Sequence, residues 1–154
     1  MIETSNISIV VQGPIGHREE DFESNVIATR NLFPDSEFIL STWEGSHVGK
    51  SEELFDHVVF LTDPGPSFVE PVTKTINNIY RQSVSTFAGL KIASKEYAVK
   101  LRSDFSILSL SFVNEYCKSI EYKTSYIFSQ PILTLFSGSR DPFKSGSLFC
   151  PSDM

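Results

Sequence analysis

A chain of 154 residues, 40% hydrophobic and carrying 13 phenylalanines, can bury a core of ordinary domain size and is excluded from the disordered class. A formal net charge of -6 argues against broad nucleic-acid binding, which needs a basic face, while leaving room for a local basic pocket. The two cysteines, Cys117 and Cys150, are too few and too far apart for a disulfide framework or a zinc site, so both are expected to pack in a reducing compartment.

The first residues, Met1-Ile2-Glu3-Thr4-Ser5, lack the basic and then apolar pattern of a signal peptide. No apolar run approaches the roughly 20 residues that cross a bilayer, so a soluble, cytoplasmic protein is expected. Residues 7–11 form a short β-branched run that reads as a buried strand ending at Gln12-Gly13-Pro14, where Gly13 allows close backbone approach and Pro14 turns the chain. One glycine makes neither a dinucleotide fingerprint nor a Walker loop, and Gly49-Lys50-Ser51 lacks the upstream glycine and reads as loop. Residues 21–33 predict a helix with Phe22, Val26, Ile27 and Phe33 on one face, stopped by Pro34. A second buried strand at 38–40 leads to Trp43, the only tryptophan, which suits either a core or lid aromatic or a ligand-stacking one.

A third strand at 57–61 ends in Thr62-Asp63-Pro64-Gly65, a sequence suited to a type II turn with Asp63 as its cap or as a strand-end site residue. The strongest helical signal runs from 73 to about 92. Ile76, Tyr80, Val84 and Phe87 make an apolar stripe, and Lys74, Asn77, Asn78, Arg81 and Ser85 share a polar face. That polar face is either solvated or, through Asn78, Arg81 and Gln82, a grip on a nucleotide or diphosphate.

Residues 97–105, Tyr-Ala-Val-Lys-Leu-Arg-Ser-Asp-Phe, organise the rest. As a strand they set Tyr97, Val99 and Leu101 on one face and Ala98, Lys100, Arg102 and, if the extension continues, Asp104 on the other. Such charges suit an exposed edge strand, or the carboxyl end of an interior strand, where open α/β sheets bind ligands. A helix at 112–120 is expected to turn Phe112, Val113, Tyr116 and Cys117 inward, a strand is expected at 125–129, and 137–141 reads as loop. His17, His47 and His57 are scattered and carry no metal-ligand spacing. The alternation predicts one α/β domain over 1–154, a largely parallel sheet flanked by helices, with Gln12, Trp43, Asp63 and Arg102/Asp104 on one rim.

Taken in order, Val11-Gln12-Gly13-Pro14-Ile15, the run from Phe33 through Pro34, Asp35 and Trp43 to Gly45, Asp63-Pro64-Gly65, Asn78 with Arg81-Gln82, and Lys100-Leu101-Arg102-Ser103-Asp104 resemble the WavE lipopolysaccharide synthesis family from about residue 7 onward. The resemblance implies a Rossmann-like, GT-A-type glycosyltransferase that uses a nucleotide-sugar donor and builds a lipopolysaccharide or other surface polysaccharide. It also implies a saccharide or lipid-linked saccharide acceptor, and a place in the cytoplasm or at the inner face of the inner membrane, without a transmembrane segment. Relatives about twice this length are expected, with the acceptor-binding half beyond Ser152-Asp153-Met154; an inactive fragment or a binding domain without chemistry is the alternative. Enzymes of this type hold Mg²⁺ or Mn²⁺ on an Asp-x-Asp motif, which would here read Arg102-Ser103-Asp104. Asp104 is then the candidate metal ligand and catalytic carboxylate, with Arg102 in place of the first Asp, either contacting the diphosphate directly or pairing with Asp104, a departure that also admits a metal-independent site. Gln12, Gly13 and Asp63 would line the base and ribose region. Asn78, Arg81, Lys100 and Arg102 would face the diphosphate, and Asp153 is the positional candidate for the acceptor's base.

Overall fold

The computed structural model describes residues 2–16, 19–70 and 75–121. These fall in two units: Glu3–Leu108, and a second to which Ile2 and residues 109–121 belong. In the first unit a 3-10 turn, Thr4–Asn6, precedes β1 (Ile7–Gln12), α1 (Glu19–Leu32) and β2 (Glu37–Trp43). A second 3-10 segment, Gly49–Leu54, leads to β3 (His57–Leu61), a hairpin of β4 (Ser67–Glu70) and β5 (Thr75–Asn77), then α2 (Ile79–Ile92) and β6 (Tyr97–Arg102). The second unit contributes α3 (Ser111–Glu121), in which Val113 is buried, Phe112, Tyr116 and Cys117 are half-buried, and Lys118 pairs with Glu115 at 2.7 Å.

The four long strands form one parallel sheet in the order β3-β2-β1-β6, with helices on it, so the α/β class read from the alternation holds. β1 and β2 are buried along their whole lengths, as central parallel strands covered on both faces must be. Their apolar runs follow from that: Ile9, Val10, Val11, Phe38, Ile39 and Leu40 form the floor of the core. Register fixes the faces. Ser8, Val10 and Gln12 of β1 stand beside Glu37, Ile39 and Ser41 of β2 and Ala98, Lys100 and Arg102 of β6, all on the side of α2. The other side carries Phe38, whose ring lies 4.6 Å under the Arg30 guanidinium of α1.

Several expectations need correction. The helix expected from 73 begins at Ile79, because residues 75–77 pair with 67–70 as a hairpin; Ile76 sits four residues before Tyr80 and only imitates the helical period. The apolar stripe of α2 faces outward, with Tyr80 59% and Phe87 62% exposed, while Ser85 and Gly89 lie against the sheet. The cause is proximity: a Cβ on Gly89 would stand 2.4 Å from Val10 Cγ1, so only a face of small residues lets the helix approach this closely. On α1, Phe22 and Val26 are buried with Phe33 beyond its end, but Ile27 is 41% exposed and Thr29, fully buried, takes the inward place one turn after Val26. Gly49-Lys50-Ser51 is the start of a 3-10 helix and not a loop. The extended run does not reach Asp104, since β6 ends at Arg102 and Phe105 N–H closes a turn onto the Arg102 carbonyl at 3.1 Å. His17, the strand expected at 125–129, the 137–141 loop, Cys150 and Asp153 lie outside the described residues.

Candidate functional site

All four parallel strands end on one rim, and the chain reverses its direction of progress across the sheet between β1 and β6, the switch point at which open α/β sheets bind ligands. The first turn at that point is Gln12-Gly13-Pro14. Gly13 N–H bonds to the Ser41 carbonyl at 3.1 Å, and the Gly13 carbonyl accepts from Thr42 Oγ1 at 2.9 Å. From the other side, Ser103 N–H reaches the Gln12 carbonyl at 3.0 Å and Ser103 Oγ the Pro14 carbonyl at 2.6 Å. Gly13 adopts φ +109°, a conformation side-chain-bearing residues rarely hold, and a Cβ there would meet Ser103 Oγ at 3.6 Å. The loop is therefore fixed by both neighbouring strands, with Gly13 buried between them.

Gln12 closes β1 on the α2 side and is 2% exposed; its Oε1 accepts from Ser85 Oγ at 2.6 Å. Ser85 thereby fastens the middle of α2 above the end of β1. Because the helix runs back along the sheet, its amino end, with its partial positive charge, opens on the rim. Asn77 Oδ1 caps Ile79 N–H at 2.7 Å, and Asn78 Oδ1 accepts weakly from Arg81 Nη1 at 3.4 Å.

Arg81 carries the main interactions of this corner. Its Nε donates to Asp63 Oδ1 at 2.8 Å and its Nη2 to Asp63 Oδ2, while its guanidinium lies 5.7 Å over the Trp43 ring. Asp63 makes the turn cap expected of it, accepting Gly65 N–H at 2.9 Å. Burial works to raise the Asp63 pKa, but the Gly65 N–H and the Arg81 guanidinium outweigh it and hold the carboxyl below the usual range. Trp43 is 6% exposed, so it is an interior aromatic under Arg81, with its indole N–H buried and without a hydrogen-bond partner among the described residues.

On the far side of Gln12, Arg102 grips Asp104 with two bonds, Nε to Oδ1 at 2.9 Å and Nη2 to Oδ2 at 2.7 Å, and its guanidinium stands 5.2 Å over Phe105. Lys100 lies one step down the same face, half-buried. Gln12, Gly13, Asp63, Asn78, Arg81, Arg102 and Asp104 thus sit at the rim where the strands end, with Lys100 just below it. Ser85, Ser103 and Thr42, which hold the geometry, escaped sequence reasoning; Ser85 was visible only as a serine one turn beyond Arg81 on the same face.

Both aspartates of the rim are bound bidentately by arginines, and no group of three or more His, Cys, Asp or Glu side chains comes together among the described residues. A depression lined by Gly49, Glu52, Glu53, Phe55, Asp56 and Val58 lies at the opposite, amino end of β3, and its three carboxylates make it unsuited to an anion. No helix among the described residues is long and apolar enough to cross a membrane.

The comparisons with known proteins agree with the sequence pattern. The profile of the family described as WavE lipopolysaccharide synthesis matches residues 7–154. No curated protein and no solved structure is similar to the chain at a significant level. With the match spanning the sheet, both rim arginines and nearly the whole chain, the protein belongs to the WavE lipopolysaccharide synthesis family.

Proposed function

We propose that the chain is a glycosyltransferase of GT-A type, or the donor-binding part of one, which takes a sugar from a nucleoside diphosphate for delivery to a lipopolysaccharide or other surface polysaccharide acceptor. The observation that carries this reading is the switch point of the parallel sheet between β1 and β6, where the strand ends set Arg102 beside Gln12 and bring Arg81 to the same rim through the bond of Ser85 to Gln12. Membership of a lipopolysaccharide synthesis family supports a saccharide acceptor of that class.

In this reading Gln12, Gly13 and Asp63 line the nucleoside side, and Arg81, Lys100 and Arg102 counter the charge of the diphosphate. A leaving diphosphate needs fixed positive groups whose cost of alignment is met before the reaction, and a guanidinium held in place by its neighbours supplies that. The site works in the cytoplasm, at the inner face of the membrane that presents a lipid-linked acceptor. A second reading, a nucleotide-sugar-binding domain without transfer, is favoured by the engagement of both rim aspartates with arginine.

A thermal-shift screen of nucleoside diphosphates and their sugars, each with EDTA or Mn²⁺, tests the proposal, since a ligand that binds only the folded state raises its stability. One nucleotide series should raise the midpoint by several degrees, with about 4 kcal/mol available at a thousandfold excess over Kd. No shift with any nucleotide would remove the donor-site assignment. Binding without release of nucleoside diphosphate from the sugar, in the presence of acceptor saccharides, would select the second reading.

A further inference from the structure

The two rim arginines are both held by carboxylates, but in different ways. Arg81 is fixed from three directions, by Trp43 below it, by Asn78 beside it, and by Asp63, which is itself tied to Gly65 N–H. Arg102 meets Asp104 across two residues in the turn after β6. The side chains are 35% and 58% exposed, and among the described residues the bonds to the Asp104 carboxylate come from Arg102. A carboxylate presents two oxygens to a guanidinium fork in the same planar manner as two phosphate oxygens. It therefore occupies the geometry a phosphate would use.

We infer that Asp104 is an internal stand-in for the ligand's phosphate: its carboxylate fills the fork of Arg102 in the ligand-free protein, and a diphosphate arriving at the rim where β6 ends displaces it. The inference rests on the nucleotide reading above and changes the part Asp104 plays within it, from ion ligand to competitor. Exposure makes the exchange easy, because a solvated ion pair stabilises little while a bidentate guanidinium–phosphate contact is stronger. Proximity makes it general: any anion that takes Arg102 must first remove Asp104, and the anion's affinity is reduced by whatever that pair contributes. The Asp63–Arg81 pair differs on the carboxylate's side, since displacing Asp63 also breaks its bond from Gly65 N–H.

The test is calorimetric titration of the full chain in EDTA with pyrophosphate and with UDP, GDP, CDP and ADP, for the wild type, Asp104→Asn, Arg102→Ala and the double variant. Asp104→Asn should bind pyrophosphate and the preferred nucleoside diphosphate about twofold to fivefold more tightly, the range set by an exposed pair. Arg102→Ala should bind about tenfold more weakly, and adding Asp104→Asn to it should bring no gain. Should Asp104→Asn fail to fold, Asp104→Ser carries the same expectation. A folded Asp104 variant that binds these anions no better than the wild type overturns the exchange and leaves the nucleotide reading intact. Tighter pyrophosphate binding with no preference for any nucleoside leaves the exchange and removes the nucleotide reading, and no anion binding by any variant overturns both.

Discussion

Glu37 shows how single residues set this fold. It begins β2, is 8% exposed, and accepts hydrogen bonds from Ser8 Oγ at 2.5 Å, Ser94 N–H at 2.9 Å and Ser94 Oγ at 2.8 Å, with His57 Nε2 at 3.6 Å. It therefore joins β1, β2 and the chain leaving α2 at the end of the sheet opposite the rim. Burial works to raise its pKa, but the bonds from Ser8 and Ser94, with a smaller share from His57, outweigh it and hold the carboxyl below the ordinary glutamate value. A folded-state pKa below the unfolded one means that the unfolded chain binds more protons, so stability rises with pH across that window. Glu37→Gln should cost about 1–3 kcal/mol at neutral pH, the range for losing charge-assisted bonds to a buried group. In urea titrations the gap from wild type should be full above about pH 4.3, the unfolded value, and close as pH falls through the lower folded one. A gap independent of pH would mean that packing, and not the charge, is what the residue contributes.

Helix α2 is the element on which the site depends, because it delivers Arg81 to the rim and fastens Gln12 through Ser85. Its inner face is small, and Gly89 is the point of closest approach. In an open helix, Gly89→Ala would add about 1 kcal/mol through propensity. Here the new methyl group would overlap Val10 of a fully buried strand, and overpacking of that kind costs about 1–3 kcal/mol. The variant should unfold earlier in urea and lose nucleotide affinity together, since a displaced α2 carries Arg81 and Ser85 with it; a more stable variant would show that the helix is not seated as described. The same close seating explains what was legible in the sequence. The four strands of the parallel sheet could be read directly, because buried parallel strands are continuous β-branched runs and the alternation in 97–102 gave the faces of β6 correctly, whereas β4 and β5 could not. The inward face of α2 could not, because the periodicity rule sends large apolar residues inward, whereas a sheet approached this closely admits only Ser85 and Gly89. The rim was legible as a set of strand ends, but the pairing of Arg81 with Asp63 joins residues 18 apart through the intervening hairpin, which no local pattern announces.

Across the whole molecule two fields of opposite sign compete for an anionic ligand. The chain carries a net charge of -6, with Glu52, Glu53 and Asp56 together at the amino end of β3, whereas Arg81 and Arg102 stand at the rim and Lys100 just below it. The net charge acts from distances of ten ångströms and more, a range that salt at 0.1 M already screens. The rim groups act in contact, where screening by salt is weaker but still felt by partly exposed side chains. If repulsion by the net charge dominated, added salt would strengthen nucleoside diphosphate binding by relieving it. If the rim dominates, added salt weakens binding, because ions compete for the guanidinium and ammonium groups. Contact distances favour the second, so the affinity for the preferred nucleoside diphosphate should fall severalfold between about 0.02 M and 0.5 M NaCl, while that for the uncharged nucleoside stays nearly constant. Arg102→Ala should flatten the diphosphate curve toward that of the nucleoside. Affinity that rises with salt, or an Arg102→Ala curve as steep as the wild type's, would place the anion somewhere other than the rim at the ends of β1 and β6.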